Sequence, residues 1–138
     1  MAPASDRIFL DTAFALGLLN SADELNAKAR ALASRLRDAR QVVTTEAVLV
    51  EIANALAGRN RIGAYEFIQS CYSTANVKVV ELTAGLFRDG LAEYRKHSDK
   101  QWSLTDCISF LVMDAEGITE AATRDTHYSQ RGFTELLK

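Results

Sequence analysis

Asp11, Glu51, Asp106 and Asp125 each stand at the border of, or inside, a stretch whose other residues read as core. Asp11 follows Ile8-Phe9-Leu10, and Glu51 separates Val48-Leu49-Val50 from Ile52-Ala53. Asp106 opens the run Cys107-Ile108-Ser109-Phe110-Leu111-Val112-Met113, and Asp125 follows Glu120-Ala121-Ala122-Thr123-Arg124. An ionised carboxylate taken out of water is costly unless a donor, a cation or a metal compensates it. The 16 Lys and Arg residues lie mostly in other segments, so a metal is the more natural partner. Oxygen-only sites suit hard divalent ions such as Mg²⁺ or Mn²⁺, one or two per site, and need neither His nor Cys. Two such ions about 4 Å apart can activate a water and stabilise both the attacking and the leaving oxygen of a phosphodiester.

That chemistry requires elements that bring the four acids together. Short apolar runs alternate with longer segments of helical period. Arg7–Asp11, Gln41–Thr44 and Val77–Leu82 read as strands, with further strand character at Thr119–Thr123 and Phe133–Leu137. Helical readings fall at Phe14–Asn20, Ala22–Ala39 and Thr45–Ala57. In the second of these, Leu25, Ala29, Leu32, Ala33 and Leu36 share one face. Thr45 is the N-cap of the third and Gly58 its stop. Ala64, Ile68, Cys71, Tyr72 and Ala75 repeat the template, as do Leu86, Phe87, Leu91 and Tyr94, and Ser103–Ala115 reads as a buried helix. Strands alternating with helices predict an α/β fold around a mainly parallel sheet. With no repeat, no linker and Pro3 as the sole proline, 1–138 is read as a single domain.

In open parallel sheets ligands bind beyond the carboxyl ends of the strands. Asp11 and Asp125 are placed at that edge by the strands before them, and Asp106 by the first turn of its helix. Glu51 lies about two turns into its helix, between Ala47 and Ala55, and reaches the others from an inward face. Each acid also has a plainer reading. Asp11 could cap the helix near Thr12, and Asp106 could complete a capping box with Ser103. Asp125 could belong to a local turn, and Glu51 could pair with a distant cation.

At these residues the chain resembles the PIN-domain ribonucleases, especially the VapC-like toxins of bacterial toxin–antitoxin pairs. The matching segments are Phe9-Leu10-Asp11-Thr12, Thr44 to Leu56, Trp102 to Phe110, Thr123-Arg124-Asp125-Thr126-His127-Tyr128 and Gly132-Phe133, in the family's order over essentially the whole chain. The resemblance implies a PIN-like three-layer α/β/α sandwich with a single nuclease domain over 1–138. It implies Asp11, Glu51 and Asp106 as the acidic metal-binding core, with Asp125 as a fourth and more variable member. It further implies Mg²⁺- or Mn²⁺-dependent hydrolysis of RNA that leaves a 5′-phosphate and a 3′-hydroxyl, a homodimer, and an antitoxin that covers the site. Ala13-Phe14 departs from the family's more polar residues after the first acid.

Composition narrows the alternatives. A net charge of −2 argues against a generic polyanion-binding surface, although two bound divalent ions would reverse that sign where a phosphate must sit. No apolar run approaches the roughly 18 residues of a membrane span. Met1–Arg7 offers no signal-peptide core, and Cys71 and Cys107 lie on apolar faces as reduced thiols, so a cytoplasmic location is expected. Aspartyl-phosphate chemistry would need a second Asp two residues after Asp11, where Ala13 stands. A PIN-like scaffold that binds RNA or protein without cutting is the non-enzymatic alternative. Thr12, Thr105 and Thr123 are candidates to hydrogen-bond the carboxylates, and His127 to contact substrate or pack locally. The cluster Lys28, Arg30, Arg35, Arg37 and Arg40, and the Arg59–Arg61 turn, read as solvated helix edges or as RNA guides.

Overall fold

The computed structural model describes residues 6–138. Met1–Ser5, which carry the first part of the signal-peptide reading and Pro3, lie outside them. Five strands, β1 (Arg7–Leu10), β2 (Gln41–Thr45), β3 (Val77–Val80), β4 (Glu120–Ala122) and β5 (Thr134–Glu135), form one sheet in the order β3-β2-β1-β4-β5, and every pairing is parallel. The helices are α1 (Thr12–Leu18), α2 (Asn26–Asp38), α3 (Glu46–Leu56), α4 (Arg61–Ser73), α5 (Ala84–Lys96), α6 (Leu104–Glu116) and α7 (Thr126–Gln130).

Successive strand residues face opposite sides, and both sides are covered. Ile8, Leu10, Val42 and Ala122 pack with Phe14, Leu25, Ala29, Leu32 and Leu36 from α1 and α2. Phe9, Val43 and Ala121 pack with Val48 and Ile52 of α3, Phe110 and Met113 of α6, and Tyr128. The result is the expected three-layer sandwich. Phe14 explains the departure after Asp11, because it is a core residue at 3% exposure and not a site residue.

The chain order makes one position special. From β1 the chain moves to β2 and β3 on one side, then crosses back through α5 and α6 to enter β4 on the other side of β1. The carboxyl ends of β1 and β4 therefore flank the point where the winding reverses, the crevice that open α/β sheets use for ligands.

Several boundaries differ from the sequence reading for identifiable reasons. β3 stops at Val80, because the Leu82 amide donates to Glu46 Oε1 at 2.9 Å and leaves the ladder. Tyr72, placed on the apolar face of α4, is 55% exposed and its hydroxyl donates to Glu46 Oε2. Phe87, Leu91 and Tyr94 lie on the open side of α5. Of the α2 cations, Arg35 serves the opposite sheet edge, bridging Asp6 and Glu120 at 3.0 and 2.8 Å. Thr45 caps α3 through the Val48 amide, and Gly117 ends α6 at φ 71°, a left-handed conformation suited to glycine.

Candidate active site

Parallel register builds the first half of the site. Phe9 pairs with Ala121 and Leu10 with Ala122, so one more step sets Asp11 beside Thr123. Thr123 Oγ1 donates to Asp11 Oδ2 at 2.7 Å and accepts the Asp125 amide at 3.0 Å. One hydroxyl thus ties the acid that follows β1 to the backbone of the acid that follows β4. Asp11 occupies the N-cap position of α1, yet its side chain makes no capping hydrogen bond. Helix capping therefore does not account for it.

Asp106 is held from the other side. Its amide donates to Ser103 Oγ and its Oδ2 accepts the Ser103 amide, both at 3.0 Å, which closes a capping box at the start of α6. The plainer reading of Asp106 is thus present, but it employs Oδ2 and leaves Oδ1 without a hydrogen bond. His127 Nδ1 lies 2.9 Å from the same Oδ2 and 3.3 Å from Asp125 Oδ1. A nitrogen lone pair against carboxylate oxygens would repel, so at these distances Nδ1 carries the proton and donates. Asp125 also caps the short α7 through the His127 amide at 2.9 Å.

Asp106, Asp125 and His127 present ligand atoms within 4.8 Å of one another, the group among the described residues able to hold a metal ion. Asp11 joins this group through Thr123. Glu51, half-buried on α3, accepts a hydrogen bond from Thr12 Oγ1, the residue next to Asp11. All four acids are thus placed by side-chain or backbone donors, and the Thr12 and Thr123 candidates of the sequence reading have defined bonds.

Burial dominates the electrostatics. It raises the Asp11 carboxyl to about 6, against the opposing pull of Thr123, the Thr12 amide and Tyr128, with nearby Asp106 raising it further. Tyr128 is wholly buried below the site, its hydroxyl beside Asp11 and Ser109 without reaching hydrogen-bond geometry to either. Burial, and then the Asp11 charge, push the Tyr128 hydroxyl well above its ordinary range, so it stays protonated. Trp102 is a core anchor: its Nε1 donates to Gln130 Oε1 at 2.9 Å and its ring meets Phe110 edge-on at 5.2 Å.

By sequence alone His127 stands between a substrate contact and local packing, and Tyr128 is not singled out. The signal for His127 was its spacing: two residues past Asp125, in the first turn of a helix that Asp125 caps, it must turn back on the acid. Tyr128 gave no such signal, since its nearness to Asp11 depends on how α7 packs.

Thr123 offers a direct test of this arrangement. Thr123→Val removes the hydroxyl and strands a buried Asp11 oxygen, which should cost about 1–3 kcal/mol of stability. If Asp11 holds a divalent metal, the metal affinity should fall roughly 10–100-fold, the usual effect of removing a hydrogen-bond partner of a ligand. Chemical denaturation and calorimetric titration would measure the two effects; unchanged metal affinity would show that Thr123 only holds the sheet edge.

A parallel α/β/α sheet with acids gathered at its switch point defines a PIN-type domain, and the family model described as PIN domain matches residues 8–133. The chain belongs to the PIN-domain family. Its relatives include the 23S rRNA-specific endonuclease VapC20 of Mycobacterium tuberculosis, 30% identical over 129 residues, which span 94% of this chain and 97% of that protein. The crystal structure of M. tuberculosis VapC20, described as a Sarcin-Ricin loop cleaving toxin, superposes with a TM-score of 0.83 at 29% identity, over 93% of this chain and 97% of that one. FitAcB from Neisseria gonorrhoeae shares the fold, with a TM-score of 0.60 at 15% identity over 93% of this chain and 95% of that one.

Proposed function

We propose that this chain is a divalent-metal-dependent endoribonuclease acting as the toxin of a toxin–antitoxin pair, with 1–138 as its single nuclease domain. The observation that carries the reading is the meeting of Asp106 and Asp125 within 4.8 Å at the sheet's switch point, with Asp11 tied in through Thr123. The donor set fits a hard cation. It offers carboxylate oxygens, including an Asp106 Oδ1 free of hydrogen bonds, in a site where burial alone already penalises the charge on Asp11. Asp11, Glu51, Asp106 and Asp125 would hold one or two Mg²⁺ or Mn²⁺ ions. When bound, such an ion polarises the phosphodiester and lowers the pKa of water.

The chain's own residues keep the acids in place. Ser103 and His127 fix the rotamer of Asp106, Thr123 fixes Asp11 and the Asp125 backbone, and Thr12 orients Glu51. His127 could itself become a ligand through Nδ1 only by giving up the proton it now donates. The reading includes an RNA substrate, a cognate antitoxin, a homodimer and a cytoplasmic setting. Exposed Val50, Ile62 and Tyr65 on α3 and α4 supply apolar surface for a protein partner. Free, buried Cys71 and Cys107, whose thiols burial pushes up to about 11, suit a reducing compartment. No helix among the described residues is long and apolar enough to cross a membrane.

The test is cleavage of 23S rRNA, the substrate class named for VapC20, beside a mixed pool of structured RNAs. Purified protein free of antitoxin would be used with Mg²⁺, with Mn²⁺ and with EDTA. Cuts that need the metal and carry 5′-phosphate ends are expected. Cleavage that persists in EDTA would overturn the metal-dependent reading, and a chain that neither binds divalent ions nor cuts any RNA would overturn the nuclease.

A further inference from the structure

α5 and α6 form an antiparallel hairpin: Gly90 packs against Ile108, and the His97 ring lies 4.7 Å from Trp102. The end of α5 and the loop into α6 therefore sit at the same end of the fold as the candidate site. A groove of about 660 Å³ opens there, bordered by Tyr94, Arg95, Lys100, Gln101 and Ser103. One of its walls is Ser103, the residue that holds Asp106 through two hydrogen bonds. A second groove continues along α5 between Arg88, Leu91, Arg95 and Lys96.

Charge is sorted along this path. Every charged side chain lining the two grooves is a cation, in a chain whose net charge is −2. Several cations elsewhere are engaged: Arg7 and Lys78 on Glu116, Arg35 on Asp6 and Glu120, Arg131 on Asp114, Arg124 on Glu24. Lys28 and Arg30 on α2 and the Arg59–Arg61 turn, by contrast, have no carboxylate at ion-pair distance among the described residues and line neither groove. Among the described residues, Arg88, Arg95 and Lys96 have no carboxylate at ion-pair distance, and Lys100 meets only the exposed Asp99, at 3.4 Å. Tyr94, 48% exposed, stands among them. Clustered cations beside an exposed aromatic side chain are what an unpaired nucleic-acid strand requires: backbone neutralisation together with a surface on which a base can stack.

We propose that the α5–α6 groove is the track along which unpaired RNA approaches the carboxylate site, with Arg95 and Lys100 on the phosphates flanking the scissile one and Tyr94 stacked on a base. The inference rests on the nuclease reading for its direction, but its test does not require cleavage. The probe is a fluorescein-labelled single-stranded RNA dodecamer, titrated by anisotropy in EDTA across a range of salt concentrations. Arg95→Ala/Lys100→Ala should weaken binding at least tenfold and flatten the log–log salt slope by about 1.4, the value for two contacts on a single strand. Tyr94→Ala should weaken binding about tenfold and leave the slope unchanged. Lys28→Ala/Arg30→Ala, which removes the same charge from exposed positions on α2, is the control and should bind as wild type.

Equal loss in the α2 control would reduce the effect to net charge and overturn the track, as would a wild-type protein that does not bind the dodecamer. If Arg95→Ala/Lys100→Ala keeps its RNA affinity but changes elution volume on size exclusion, the groove is a protein interface and the proposal fails. Failure of the nuclease reading would register differently, as wild-type protein that binds RNA through these residues and never cuts it.

Discussion

Asp106→Asn removes cleavage while the fold survives. The substitution is nearly isosteric, and an Asn oxygen can still accept the Ser103 amide, so α6 keeps its cap. What disappears is the negative charge at the point where Asp106, Asp125 and His127 converge. Loss of an outer partner of a metal ligand costs up to about 100-fold, so loss of a ligand should exceed a hundredfold in the cleavage rate. Metal titration should register the same loss, and melting should shift by only a few degrees. The uncut variant with wild-type secondary structure separates a nuclease from an RNA-binding scaffold. An Asp106→Asn protein that still cuts would reduce Asp106 to its capping role.

The second large effect concerns the metal-free protein and pH. Folding raises the Asp11 carboxyl from 3.8 to about 6, chiefly through burial. A raised carboxyl binds its proton more tightly when folded. Its contribution to stability is complete below about pH 4, declines as pH passes through 6, and is gone above that. A shift of this size corresponds to roughly 3 kcal/mol between the two limits. Glu116, lowered by Lys78 and Arg7, works in the opposite sense and loses its contribution toward acid pH. The informative quantity is therefore the difference between wild type and Asp11→Asn, measured by denaturation from pH 4 to 8 in EDTA. The variant should gain on wild type by up to about 3 kcal/mol as pH rises, and should lose that advantage when Mg²⁺ is added, since only wild type gains from binding. A flat difference curve would place Asp11 in contact with solvent or with a compensating cation.

These two residues also show how far the linear chain could be read. Asp11 was conspicuous because a carboxylate directly after Ile8-Phe9-Leu10 must emerge at a strand end. Asp106 was conspicuous because it stands in the first turn of a helix that is apolar nearly all round. Local patterns of this kind are short-range consequences of strand and helix periodicity, so element types, the parallel sheet and the edge carrying the acids all followed from them. The Ser103–Asp106 box was equally legible, since both partners lie within one helical turn.

Contacts between distant segments were not legible. That Thr123 bridges Asp11 and Asp125 depends on the register of β1 against β4, elements more than a hundred residues apart, and a one-residue slip would turn the hydroxyl to the other face. That His127 donates to Asp106 depends on where α7 packs against α6. Arg35 read as a helix-edge cation until packing placed it on Asp6 and Glu120 at the far end of the sheet, while Arg95 and Lys100, less conspicuous in the sequence, came to border the groove that reaches Ser103. Residue types and their local period determined which groups could do chemistry and which edge would hold them. Which groups touch was decided only when burial of both sheet faces fixed one register and one packing, because hydrogen bonds and charge pairs act over a few ångströms and the chain specifies such distances only once it is folded.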